Sequence, residues 1–138
     1  MNKLLATLLL VIGLTTYTQA QDSDYDEVVK TVNYYLNGGT KNDFQTLKKA
    51  FHETAIMKFI GNDGYTEINA LEFFEKGMKP GPKQNRTTRI SNISIAGNAA
   101  NARLEIEYPD FTFIDFMNLL KVDGEWKIVS KIFYRKVD

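Results

Sequence analysis

The sequence predicts an α+β fold, with three N-terminal helices packed in the concave face of a strongly curved, mostly antiparallel sheet. Three observations lead there. In three segments before Pro80, over about residues 24–37, 42–51 and 69–78, apolar side chains recur at three- and four-residue spacing, the period of helices buried on one face. Beyond Pro82 they alternate, most regularly where Ala100, Ala102, Leu104, Ile106 and Tyr108 are interleaved with Asn101, Arg103, Glu105 and Glu107. Turn signals, Gly97-Asn98 and Asp123-Gly124, separate the alternating runs at hairpin distance. Helices followed by a strand meander is an α+β order, and 138 residues at 43% hydrophobic content fit one domain. A sheet bent over the helices into a cone would bury their apolar faces and leave a concave interior.

The first twenty residues stand apart from that domain. Lys3 supplies a positive charge, Leu4 to Leu14 an apolar run, and Thr18 and Ala20 the small residues before a cut at Gln21. This is the layout of a secretory signal peptide. The apolar run, about 11 residues, is shorter than the roughly 20 that a membrane span requires. The expected organisation is a signal peptide over 1–20 and a single domain over 21–138. The mature chain would be exported to the periplasm or exterior of a bacterium and be free of the membrane after cleavage.

Composition narrows the chemistry. Seventeen basic and seventeen acidic residues leave no net charge, whereas nucleic-acid binders carry a basic excess. Without cysteine there is no disulfide, no thiolate nucleophile and no Cys-ligated metal. A single histidine removes any His-pair metal site, and carboxylates do not recur at metal-ligating spacing. Neither metal nor cofactor is expected.

The elements follow in order. A helix over 24–37 is capped by Ser23 or Asp24 and turns Tyr25, Val28, Val29, Val32, Tyr35 and Leu36 to one apolar face, with Gly38-Gly39 as its stop. A shorter helix starts at Asn42 or Asp43 and turns Phe44, Leu47, Ala50 and Phe51 inward. A strand over 55–60, the turn Asn62-Asp63-Gly64 and a return strand over 65–68 form a hairpin. Asn69 caps a third helix, with Glu72 at the capping-box position, and Pro80 and Pro82 end it. Strands over 88–96, 100–108, 111–122 and 126–135 complete the chain. In the last, Trp126 and Ile128 would pack inward while Lys127 and Lys131 face water.

The helix–helix–strand–hairpin–helix–meander order resembles the nuclear-transport-factor-two-like superfamily of cone-shaped domains. The run from Phe113 to Phe133, with Asp123-Gly124-Glu125-Trp126-Lys127-Ile128 at its centre, is similar to the secreted bacterial putative lumazine-binding family. Tyr35-Leu36-Asn37-Gly38-Gly39, Asp43 and Ala50-Phe51-His52 agree, so the resemblance covers about residues 24–135. It implies a small flat heteroaromatic or apolar ligand and a homodimer formed through the outer face of the sheet. Ketosteroid isomerases of the same superfamily work with an Asp base and with a Tyr and a protonated Asp as oxyanion donors. Aligned on that pattern, Tyr35 takes the place of the catalytic Tyr, Phe59 that of the base and Asn118 that of the protonated Asp. A phenyl ring abstracts no proton, so the resemblance does not imply isomerase catalysis, and no catalytic residue is assigned.

The expected ligand pocket is formed by Tyr35, Met57, Phe59, Phe116 and Asn118, an apolar cavity with two neutral hydrogen-bonding groups. Secondary candidates are His52, Tyr108, Asp115 and Trp126. His52 lies where the second helix ends and reads as an exposed or capping residue. Trp126 reads as a core packer. Asp115, between Ile114 and Phe116, has strand parity opposite to Asn118, so both face one cavity only if a bulge intervenes. It is expected to point outward and pair with Lys or Arg across the sheet; turned inward, it would need a cationic partner.

Three functions fit. The first is a secreted small-molecule binder or accessory domain without acid–base catalysis. The second is a dimeric interaction module whose cone is filled by Met57, Phe59 and Phe116. The third is a hydratase- or cyclase-like enzyme using Asp115 or His52. Mass spectrometry and light scattering of the exported protein check the organisation. The chain is expected to begin at Gln21 and to run as a dimer; a retained Met1 refutes the first expectation, and a monomer at about 100 μM refutes the second.

Overall fold

The computed structural model describes residues 23–137; the signal peptide expected over 1–20 lies outside them. The first helix, α1, covers residues 23–41 and buries Val28, Val32, Tyr35 and Leu36 on one face. It runs through Gly38-Gly39 instead of stopping there. The chain leaves the helix at Asn42, whose φ of 55° is the left-handed conformation that asparagine tolerates. Gly38 serves packing. A Cβ there would sit 2.4 Å from the Leu47 backbone nitrogen and 2.9 Å from the Asp43 carbonyl oxygen. That absence lets α2 (Phe44–Leu47) and the 3₁₀ turn Lys48–Ala50 fold back against α1. Asp43 caps α2, accepting from Thr46 N–H at 3.1 Å.

The third helix, α3 (Ala70–Gly77), follows the hairpin of β1 (Phe51–Gly61) and β2 (Gly64–Asn69). Asn69 caps it as the sequence predicts, its side-chain oxygen accepting from Glu72 N–H at 3.0 Å. Four long strands complete the sheet: β3 (Thr87–Ala96), β4 (Ala99–Tyr108), β5 (Phe111–Val122) and β6 (Glu125–Val137). The strand order is β2-β1-β6-β5-β4-β3, with β1 parallel to β6 and every other pair antiparallel. The three helices pack against this curved sheet, as expected.

Two extra residues decide which side chains face the helices. In β3, Ser91 is inserted between the pairs Ile90–Leu104 and Asn92–Arg103, so Ile90, Ile93 and Ile95 all reach the core despite their uneven spacing. In β6, Val129 is inserted between Leu119–Ile128 and Asn118–Ser130. Before it, Trp126 and Ile128 point inward; after it, the parity flips and Lys131 and Phe133 point inward. The expectation that Lys131 faces water is therefore wrong: it is 4% exposed.

The N-terminal end of α1 is tied to the β5–β6 hairpin. Asp24 accepts from Lys121 Nζ at 2.7 Å and from Trp126 Nε1 at 3.1 Å, and both contacts hold its carboxyl below the ordinary 3.8. Two turns on, the Thr31 hydroxyl donates to the Trp126 carbonyl at 3.1 Å. Trp126 is thus a core anchor, as read from the sequence. Two substitutions test this local account by urea denaturation. Asn69→Ala should destabilise by about 1 kcal/mol through loss of the cap. Gly38→Ala, which in an open helix interior would stabilise by about 1 kcal/mol, should instead cost about 1–3 kcal/mol from the clash with Leu47.

Candidate functional site

The cone is not filled. A cavity of about 190 Å³ opens between α1, α3 and the inner faces of β1, β4, β5 and β6. Its walls are apolar and aromatic: Met57, Phe74, Ile106, Phe113 and Phe133. Its polar groups are Tyr35, Lys131, Arg86, Tyr108 and Gln84. Apolar walls with a few convergent polar groups are the usual composition of a small-molecule site.

Behind the floor that Tyr35 and Lys131 form lies Asp115, with no measurable exposure. The Tyr35 hydroxyl donates to its Oδ2 at 2.7 Å, and Lys131 Nζ sits 2.5 Å from its Oδ1. The second contact is a close ion pair; among the described residues no aligned hydrogen bond reaches Oδ1. The ammonium also lies over two rings, 4.4 Å from the centroid of Phe133 and 5.5 Å from that of Tyr35. Burial, reinforced by the charge of Asp115, pushes the Tyr35 phenol well above its ordinary 10.0. Burial pulls the Lys131 ammonium below its ordinary 10.5, with Asp115 opposing.

The rim is built on the end of α1 and the coil before β3. Arg86 donates through Nε to the Thr40 hydroxyl at 2.8 Å, through Nη1 to the Tyr108 hydroxyl at 2.9 Å and through Nη2 to the Leu36 carbonyl at 3.0 Å. All three acceptors are neutral. Gly39 makes room for the guanidinium, since a Cβ there would lie 2.4 Å from Nη2. The Tyr108 hydroxyl in turn donates to Gln84 Oε1 at 2.6 Å, and its ring stacks on Phe111.

Of the five expected pocket residues, the structure brings Tyr35 and Met57 to the cavity. Phe59 is half-buried beside it, stacked on Phe133 with centroids 4.9 Å apart. Phe116 and Asn118 are on the opposite, outer face. There Asn118 accepts from Asn101 and donates to Ser130, both at 2.9 Å. The residue facing Tyr35 is Asp115, which points inward and not outward. The reason is parity: Phe113, Asp115, Met117 and Leu119 share the inner face of β5. Among the secondary candidates, Tyr108 lines the cavity and Trp126 does not. His52 sits at the irregular start of β1, its Nδ1 accepting from Thr54 N–H at 3.2 Å, away from the cavity. Sequence reading missed Lys131, Arg86 and Gln84. The Lys131 signal was hidden by the bulge at Val129; Arg86 and Gln84 lie in or beside irregular backbone, which has no period to read. Among the described residues no cluster of His, Asp and Glu could hold a metal ion.

The ion pair makes two measurable statements. Lys131→Met strands a buried carboxylate and should cost about 3–5 kcal/mol, whereas the double variant Lys131→Met/Asp115→Leu should recover most of that loss. Failure of the double variant to recover would mean that the pair is not isolated. For Tyr35 the folded-state pKa is raised, so its contribution is present below pH 10.0 and is lost as pH rises towards the folded value. Urea titrations at pH 9 and 11 should show a smaller alkaline loss in Tyr35→Phe than in the parent; equal losses would refute the assignment.

Comparisons with known proteins agree with this architecture. Aldolase FrzH of Cladobotryum sp. is 27% identical over 118 residues, covering 81% of this chain and 91% of that protein. A crystal structure of an NTF2-like protein from Shewanella baltica OS155 superposes with a TM-score of 0.76 at 30% identity, covering 84% of this chain and 96% of that one. A second, from Methylobacillus flagellatus KT, gives 0.72 at 31% identity, covering 83% and 94%. With residues 23–134 matching the family described as putative lumazine-binding, the chain belongs to that family, within the NTF2-like fold.

Proposed function

We propose that this is an exported domain that binds, inside its cone, a small organic molecule with a flat or apolar body and one carbonyl or anionic oxygen. The observation that carries the reading is the charge of the cavity. Two cations, Arg86 and Lys131, face it; Lys131 is matched by Asp115, while Arg86 bonds only neutral oxygens in the contacts described above. One positive charge in an apolar enclosure favours a ligand that brings a partial or full negative charge. The aromatic walls suit a flat body. A carbonyl-bearing ligand also agrees with the similarity to a protein named as an aldolase. Isomerase-type catalysis finds no support, since Phe59 stands where that pattern has its base.

The outer face of the sheet supports a second copy of the chain as partner. Phe116 and Ile132 are paired across β5 and β6 there, 36% and 49% exposed, and Tyr134 beside them is 63% exposed.

Thermal-shift measurements test the ligand reading. Flat aromatic carboxylates, aldehydes and ketones, with a pterin and a flavin as heteroaromatic members, are compared on the parent protein and on Arg86→Gln. At least one oxygen-bearing aromatic is expected to raise the Tm, and Arg86→Gln should weaken it about tenfold, or about 1.4 kcal/mol. No stabilisation by any member, or stabilisation indifferent to Arg86, counts against the reading.

A further inference from the structure

Lys131 is an unusual lysine. Its amine is buried, yet it lines the cavity, and the walls beside it are the Phe133 and Tyr35 rings. Its neighbour Asp115 does not line the cavity; it lies behind the amine, held there by Tyr35. A nucleophile facing a cavity, a proton acceptor 2.5 Å behind it and a phenol fixing that acceptor form the constellation required for amine–carbonyl condensation.

We propose that Lys131 captures an aldehyde or ketone in the cone as an imine on its Nζ. This rests on the reading above that the cavity takes a carbonyl compound, and names the covalent form in which it is held. The ammonium first gives a proton to Asp115 Oδ1. The freed amine adds to the carbonyl carbon, forming the C–N bond, and the proton it sheds moves to the former carbonyl oxygen. Asp115 returns its proton to the carbinolamine nitrogen it faces, a proton passes from that nitrogen to the hydroxyl, the C–O bond breaks and water leaves. One ammonium and one carbonyl become one iminium and one water, and nothing is oxidised or reduced. The site carries one positive charge beside Asp115 at the start and at the end, so the ion pair that burial demands is restored when water leaves. Burial also lowers the ammonium's hold on its proton, which raises the fraction of free amine. Asp115 acts here through Lys131 as a positioning and proton-holding residue.

The probe is benzaldehyde with sodium cyanoborohydride at neutral pH, read by intact mass and peptide mapping of the full chain. Reduction should fix one benzyl group on Lys131 at least about ten times faster than on exposed lysines such as Lys30 and Lys76, because the cavity holds the aldehyde against this amine and its proton acceptor. Asp115→Asn should shift the pH profile of Lys131 labelling to lower pH, because the carboxylate that holds the ammonium's proton is gone, and should lower the maximal labelling rate, because the proton acceptor and donor of the condensation is gone; a purely structural role would not lower that rate. Lys131→Met should remove the adduct; because that variant also loses the buried ion pair and with it stability, mapping of the parent protein decides independently. Labelling confined to exposed lysines overturns the proposal. If benzaldehyde then still raises the Tm, the imine fails while the binding reading stands; if it neither labels Lys131 nor shifts the Tm, the imine reading fails for this carbonyl class and the binding reading loses its aldehyde arm.

Discussion

The rest of the molecule is arranged around one buried carboxylate. Asp115 is cut off from water, and an ionised carboxylate in that position must be compensated by its surroundings. Its two partners come from elements far apart in sequence: Tyr35 from α1 and Lys131 from β6. Satisfying both fixes the rotation of α1 over the sheet and the parity of the second half of β6. The bulge at Val129 follows from this constraint. Without the extra residue, Lys131 would share the face of Lys127 and Asp115 would lack its cation. The same bulge brings Phe133 inward to stack on Phe59.

A second set of contacts holds the mouth of the cone. The coil from Met78 to Arg86 has no regular structure, so its backbone needs other partners. It finds them on the end of α1: Gln84 N–H donates to the Thr40 carbonyl at 2.9 Å, and the Gln84 side chain to the Gly39 carbonyl at 2.9 Å. Asn42 reaches back to the Pro82 carbonyl at 2.7 Å. The last carbonyls of a helix lack internal partners and carry the negative end of its dipole. Arg86, donating to Leu36, supplies charge and hydrogen bonds together. The rim and the floor of the cavity therefore depend on the same helix, one through its carbonyl end and the other through Tyr35.

The fold was legible because its signals are local. Asn69 as a cap, Asp123-Gly124 as a hairpin with both residues at positive φ, and the alternation of β4 each act over a few residues. The site was half legible. Tyr35 and Met57 could be placed because a helix face and an alternating strand declare their inner sides. β5 declares nothing, since Phe116 and Leu120 on one face are as apolar as Met117 and Leu119 on the other. Period-two reasoning then gives two answers of equal quality, and the isomerase pattern selects Asn118, which the structure places on the outer face. What would have decided it is electrostatic. An acid and a lysine each stand within an otherwise apolar stretch on adjacent strands, and either one placed inside would require the other. That pairing was obscured because Lys131 seemed to keep the parity of Lys127, and a bulge leaves no mark on a sequence whose local residues are all good strand formers.

The energetics of the cone separate stability from use. A buried ion pair is, on mutational experience, no better for stability than two apolar side chains of the same volume, and often worse by about 1–4 kcal/mol. A cavity of about 190 Å³ likewise withholds packing that larger side chains could supply. Elsewhere the core obeys ordinary packing preferences: Val28, Val32, Leu47, Leu104, Met117 and Ile128 are all fully enclosed. Both departures from that pattern occur at one place, on the same side of the same helix, with the amine of one opening into the empty volume of the other. Independent defects in packing have no reason to coincide. Their coincidence is what a site built for a ligand requires, because the interactions withheld from folding are those left available for binding.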